Sequence, residues 1–67
     1  MALSENIKAR RTELGMTQLE VAERIGVSPV AVCQFEANRS KPQPETLIAL
    51  AKCLGTTAEE LVLGKEG

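Results

Sequence analysis

The chain has 67 residues and a net charge of −1, from 8 Lys and Arg against 9 Asp and Glu. A domain near this size buries only about 60% of its unfolded-chain surface, so the length fits a single domain with a thin core. No apolar run approaches the ~18 residues of a membrane span, no signal-peptide core is visible, and cysteines without any histidine exclude the common zinc spacings.

The punctuation predicts five helices. Ser4 is placed to cap a first helix running to Leu14, with Gly15 as a left-handed stop. Thr17-Gln18-Leu19-Glu20 has capping-box spacing, so a second helix starts near Gln18 and ends before Gly26. Ser28-Pro29 is a cap followed by a proline in the first turn, where its missing N–H costs nothing, and the third helix runs to about Ala37. Asn38 can take the left-handed stop usually filled by glycine. Pro42 and Pro44 frame a loop, Pro44 opens a fourth helix that ends at Gly55, and Thr57-Ala58-Glu59-Glu60 is a second capping-box pattern opening a short helix that stops near Gly64. Leu47, Leu50, Ala51 and Leu54 follow helical spacing, as do Val21, Ala22 and Ile25, and Val32 with Phe35. No sustained alternation of period two predicts a strand, so the expected class is all-α, with a core over about residues 4–64.

Two features go beyond a helix count. Only Gly26-Val27 precedes the Ser28 cap between the second and third helices, and a turn that short, opening on glycine, is the helix-turn-helix signature. Ala22 is small where the third helix must cross the second. The other feature is Arg11, four residues after Ile7 on the stripe that Ile7 and Leu14 define. A guanidinium there needs a partner, and Glu36 at the end of the third helix offers a two-point carboxylate. The alternative is that Arg11 extends to solvent or to a phosphate.

Charge is unevenly spread. Lys8, Arg10, Arg11, Arg24, Arg39 and Lys41 face Glu5, Glu13, Glu20, Glu23 and Glu36 over residues 1–41, whereas residues 42–67 hold Lys52 and Lys65 against Glu45, Glu59, Glu60 and Glu66. The N-terminal part is mildly basic, which is compatible with a DNA face. Lys8 and Arg10 read as solvated, Cys53 as helix packing, and Cys33 as a thiol without an electropositive neighbourhood. Phe35 is the lone aromatic residue and reads as core, which leaves no stacking platform for single strands. With no histidine, no nucleophile–base set and no phosphate loop, an enzyme is not expected, nor is a cofactor, metal or small-molecule ligand.

The ordered set Ile7, Arg11, Gly15-Met16-Thr17-Gln18, Val21-Ala22, Ile25-Gly26-Val27-Ser28, Val32, Phe35-Glu36, Pro42, Leu47, Leu50-Ala51, Leu54-Gly55 and Leu61 resembles the Cro/C1-type (XRE-type) helix-turn-helix family of phage and bacterial repressors. The resemblance runs from about Ser4 to Gly64. It implies a compact, lambda-repressor-like five-helix bundle in which the third helix reads DNA, and it implies that Arg11 and Glu36 are paired. Gln18 looks like the family's phosphate-contacting glutamine, with Thr17 beside it. Ser28, Pro29, Val30, Cys33 and Gln34 fall where the family reads bases or flanking phosphates, and Asn38, Arg39, Ser40 and Lys41 fall in the loop that holds the backbone. The plainer reading of Arg39 and Lys41 is a solvated loop.

The pattern also departs from the family. Pro29 and Val30 stand where many members carry glutamine, lysine or arginine, and neither forms a bidentate bond to a base. Val30 can touch a thymine methyl and Gln34 can bond an adenine edge, so readout leans on fit, Gln34 and DNA shape. One short helix cannot bury all of Leu61, Val62 and Leu63, which suggests cover by a second subunit, as the family implies. The expectation is a cytoplasmic, dimeric transcriptional repressor bound to a two-fold symmetric operator in duplex DNA. The competing reading is a protein-interaction module, such as an antitoxin or a controller protein, in which DNA binding is secondary or lost.

Overall fold

The computed structural model describes residues 3–64. Five helices follow in chain order, α1 (Leu3–Glu13), α2 (Gln18–Ile25), α3 (Pro29–Glu36), α4 (Pro44–Cys53) and α5 (Ala58–Leu63), with no strand among the described residues. None is long and apolar enough to cross a membrane.

The helix boundaries follow from local chemistry. Thr17 Oγ1 accepts the Glu20 N–H at 3.0 Å while the Thr17 N–H donates to Glu20 Oε1 at 2.8 Å, so the α2 capping box is complete. Ser28 Oγ accepts the Ala31 N–H at 3.2 Å, and Pro29 fills the first position of α3. Gly26 ends α2 at φ +78°, a conformation in which a Cβ is strained even though open space surrounds it. Asn38 does the same work after α3 at φ +60°, letting the Arg39 N–H return to the Gln34 carbonyl at 2.9 Å. Most observed ends lie within one or two residues of the sequence reading, where helices fray.

At three helix ends the structure differs from the sequence expectation. Ser4 is not the cap of α1 but a buried residue within it, on the stripe shared with Ile7 and Arg11. Leu14 does not extend that stripe. The helix stops at Glu13, the chain turns at Gly15, and Leu14 is 44% exposed while Met16 packs against the core instead. At α5, Thr57 Oγ1 accepts the Glu60 N–H at 3.1 Å, but the Glu60 carboxylate is taken by the Thr56 hydroxyl, so half of the expected capping box forms.

Every helix contributes to one core: Ile7 from α1, Val21 and Ala22 from α2, Val32 and Phe35 from α3, Leu50 and Ala51 from α4, Leu54 just after it, and Leu61 from α5. Ala22 is wholly buried, which fits a close crossing of α2 and α3. Two side chains of α1 fasten the C-terminal part. Asn6 Nδ2 donates to the Leu61 carbonyl at 2.7 Å, and Arg10 Nε donates to the Leu54 carbonyl at 2.8 Å. Arg10 is therefore not simply solvated. It satisfies a carbonyl at the C-terminal end of α4, where a cation also favours the helix dipole. Asn6 and Arg10 stand four residues apart on α1, and that spacing was the available sign of a second working face.

Candidate nucleic-acid interface

The caps at Thr17 and Ser28 and the turn between them set α2 against α3, and the buried residues of α3 decide which of its faces is left outward. Val32 and Phe35 point into the core, so Pro29, Val30, Cys33 and Gln34 are exposed, and Val30 is 63% exposed. Val30, Cys33 and Gln34 share one side by helical spacing. Ser28 precedes this face and is exposed, as are Asn38, Arg39, Ser40 and Lys41 beyond it. Thr17 is exposed and Gln18 half-buried at the start of α2.

The polar junction beneath this surface joins three helices. Arg11 Nε donates to Glu36 Oε2 at 2.6 Å and Arg11 Nη2 to Glu36 Oε1 at 3.0 Å, a two-point bond between α1 and α3. The two side chains are 12% and 4% exposed. Arg11 Nη1 donates to the Met16 carbonyl at 2.8 Å, which ties the α1–α2 connection into the same junction. The bond from Glu36 raises the Arg11 pKa above its ordinary value, burial opposes this, and the carboxylate charge adds to the rise. The guanidinium thus stays charged at any pH where the fold is relevant.

Gln18 completes the junction. Its Nε2 donates to Glu36 Oε1 at 3.0 Å, so the first residue of α2 is bonded to the last residue of α3. This contact is absent from the sequence reading. Nothing in the spacing of Gln18 and Glu36 signals it, because it depends on how α2 and α3 cross. Its consequence is that the side chain opening α2 is held directly against the side chain closing α3.

The electrostatics of the surface are simple. Glu36 is the one acidic residue of α3, and its carboxylate is buried and paired. The outer face therefore carries no exposed carboxylate, and the cations that follow it, Arg39 and Lys41, are exposed. Cys33 is a free thiol on this face, whereas Cys53 is half-buried and packs against the core.

A family profile described as Helix-turn-helix matches residues 7–61. The chain belongs to that family, in its Cro/C1-type branch. Repressor protein C2 of Salmonella phage P22 is 37% identical over 62 residues, which make up 92% of this chain and 29% of that protein. The HTH-type transcriptional regulator DicA of Escherichia coli is 33% identical over 66 residues, 98% of this chain and 49% of DicA. The chain thus spans less than half the length of both proteins. The crystal structure of the P22 c2 repressor in complex with a synthetic operator matches with a TM-score of 0.92 and 35% identity, covering 97% of this chain and 98% of that one. The five-helix arrangement is the lambda-repressor-like helix-turn-helix fold.

Proposed function

We propose that this chain is a transcriptional regulator that binds duplex DNA in a sequence-specific manner, and that it represses by occupying an operator. One observation carries the reading. The outer face of α3 is free of core duties and of exposed carboxylates, and it runs directly into the exposed cations Arg39 and Lys41. Its likeness to a repressor solved with operator DNA supports the same reading.

In this reading α3 enters the major groove. Val30 meets a thymine methyl and Gln34 bonds an adenine edge. Pro29 and Cys33 contribute fit, and Ser28 flanks them near the phosphates. Thr17 and Gln18 meet one phosphate at the start of α2, where first-turn N–H groups lack intrahelical partners. Asn38, Arg39, Ser40 and Lys41 hold the backbone beyond α3. The domain acts by binding, without catalysis, in the cytoplasm. It works as a homodimer joined through the C-terminal region, a proposal supported by Val62 and Leu63, which are 44% and 63% exposed next to the buried Leu61. A C2 dimer presents two recognition helices about 34 Å apart to a two-fold symmetric site.

Selection from a pool of random duplexes tests this. An enriched, two-fold symmetric sequence is expected, with binding that weakens steeply as salt rises and falls on Gln18→Ala or Arg39→Ala. No enrichment, with residual binding indifferent to both substitutions, contradicts it.

A further inference from the structure

We propose that Glu36 is a positioning residue for DNA binding: its carboxylate orients the Gln18 amide at the start of α2, while Arg11 cancels its charge. The inference rests on the DNA-binding reading and adds to it a residue that never touches DNA.

Three observations support it. First, Glu36 Oε1 is shared, accepting from Arg11 Nη2 and from Gln18 Nε2, both at 3.0 Å. The Arg11–Glu36 pair already has its two bonds without Gln18, so the third donor is not needed to satisfy the carboxylate. Second, a carboxylate only accepts hydrogen bonds, so the nitrogen of the amide must face Glu36 and the carbonyl oxygen must face away. The amide cannot flip without losing the bond. One N–H and the carbonyl oxygen of Gln18 are left for a partner. Third, the carboxylate side chain is 4% exposed and covered by a guanidinium. A bare carboxylate at this place would repel phosphates, and a paired, buried one does not.

An exposed glutamine must give up rotamer freedom when it binds. Gln34 and Gln43 are exposed and illustrate that case. Gln18 enters the encounter with part of that ordering complete. Glu36 thereby couples the two helices of the motif. A shift of α3 that moves Glu36 also turns the amide at the start of α2.

The test is a double-mutant cycle on the full chain, with the duplex that the wild-type chain enriches as the probe. Glu36→Asp keeps a charge for Arg11 but withdraws the carboxylate by one methylene. It is expected to weaken binding about 5-fold with Gln18 present and less than about 2-fold in the Gln18→Ala background. Equal weakening in both backgrounds overturns the inference, because Glu36 then acts independently of Gln18.

Circular dichroism establishes that each variant is folded. If Glu36→Asp is not, side-chain amide NMR of the wild-type chain decides. One Gln18 Nε2 proton should lie downfield and exchange slowly relative to those of Gln34 and Gln43, and it should stay in place on adding duplex while the other moves. Gln18 protons that behave like those of Gln34 and Gln43 overturn the inference. A wild-type chain that enriches no duplex overturns the DNA reading and this inference with it. An enriched duplex with an additive cycle overturns the inference alone.

Discussion

α2 and α3 are both eight residues long and both begin on a hydroxyl cap, yet they face opposite demands. α2 is constrained at both ends. Its capping box is complete, Gly26 stops it in a left-handed turn, and Gln18 is bonded to Glu36. Its outward residues are Leu19, Glu20, Glu23 and Arg24, of which Glu20 is itself engaged in the cap. α3 is held at its ends by the Ser28 cap and the Asn38 turn and on its inner side by Val32, Phe35 and the paired Glu36, but its outward residues Pro29, Val30, Cys33 and Gln34 contribute nothing to the core. The lesson is that one helix of the pair supplies position and the other supplies a surface whose composition the fold leaves open.

That division can be broken most severely at the junction. Arg11→Met alone, or Glu36→Leu alone, strands a buried charge and is expected to cost about 3–5 kcal/mol. For a domain of this size that lowers the melting temperature by about 12 °C or more in a circular dichroism melt. The double replacement should recover much of the loss, because two apolar side chains strand nothing. A melt of Arg11→Met that matches wild type would show that the pair does not hold α1 to α3.

The outer face should behave in the opposite way. Gln34→Ala is expected to weaken operator binding about 10-fold, as for the loss of one good base contact, while changing stability by no more than about 0.5 kcal/mol. Val30→Ala should act in the same sense, and a duplex with deoxyuridine in place of the contacted thymine should reproduce its effect. Titration and melting on the same samples separate the two properties. A large loss of stability in either variant would erase the distinction between the helices.

The caps give the smallest effects and sharpen the comparison. Ser28→Ala should cost about 1 kcal/mol, the usual value of one lost N-cap bond. Thr17→Ala combined with Glu20→Ala should cost somewhat more than Ser28→Ala, since the two together remove both side-chain bonds of the reciprocal box and Ser28 holds a single one. Chemical denaturation resolves both, and the reverse order would show that the start of α3 is the more tightly held.

Much of the fold was legible in the sequence because its signals are local. Thr17, Gly26, Ser28, Pro29, Asn38 and Pro44 each satisfy or end a helix by chemistry within a few residues, and each does so in the structure. The Arg11–Glu36 bond was legible for another reason: a guanidinium on an apolar stripe demands an acid somewhere. The failures share a cause as well. Leu14 depends on where α1 stops, and the Glu60 carboxylate accepts from the Thr56 hydroxyl where the capping box requires the Thr57 N–H. Arg10 to Leu54, Asn6 to Leu61 and Gln18 to Glu36 are contacts between distant segments. No local rule specifies which helices come to lie side by side. The outer face of α3 was legible as exposed, but its ligand is a matter of chemistry that packing does not encode.

The most direct test of that face is an amide chemical-shift map of the labelled chain as the selected duplex is added. The largest changes are expected at residues 17–18, 28–34 and 38–41, with α4 and α5 little affected. Changes concentrated on α4 or on Val62 and Leu63, with α3 unmoved, would contradict it.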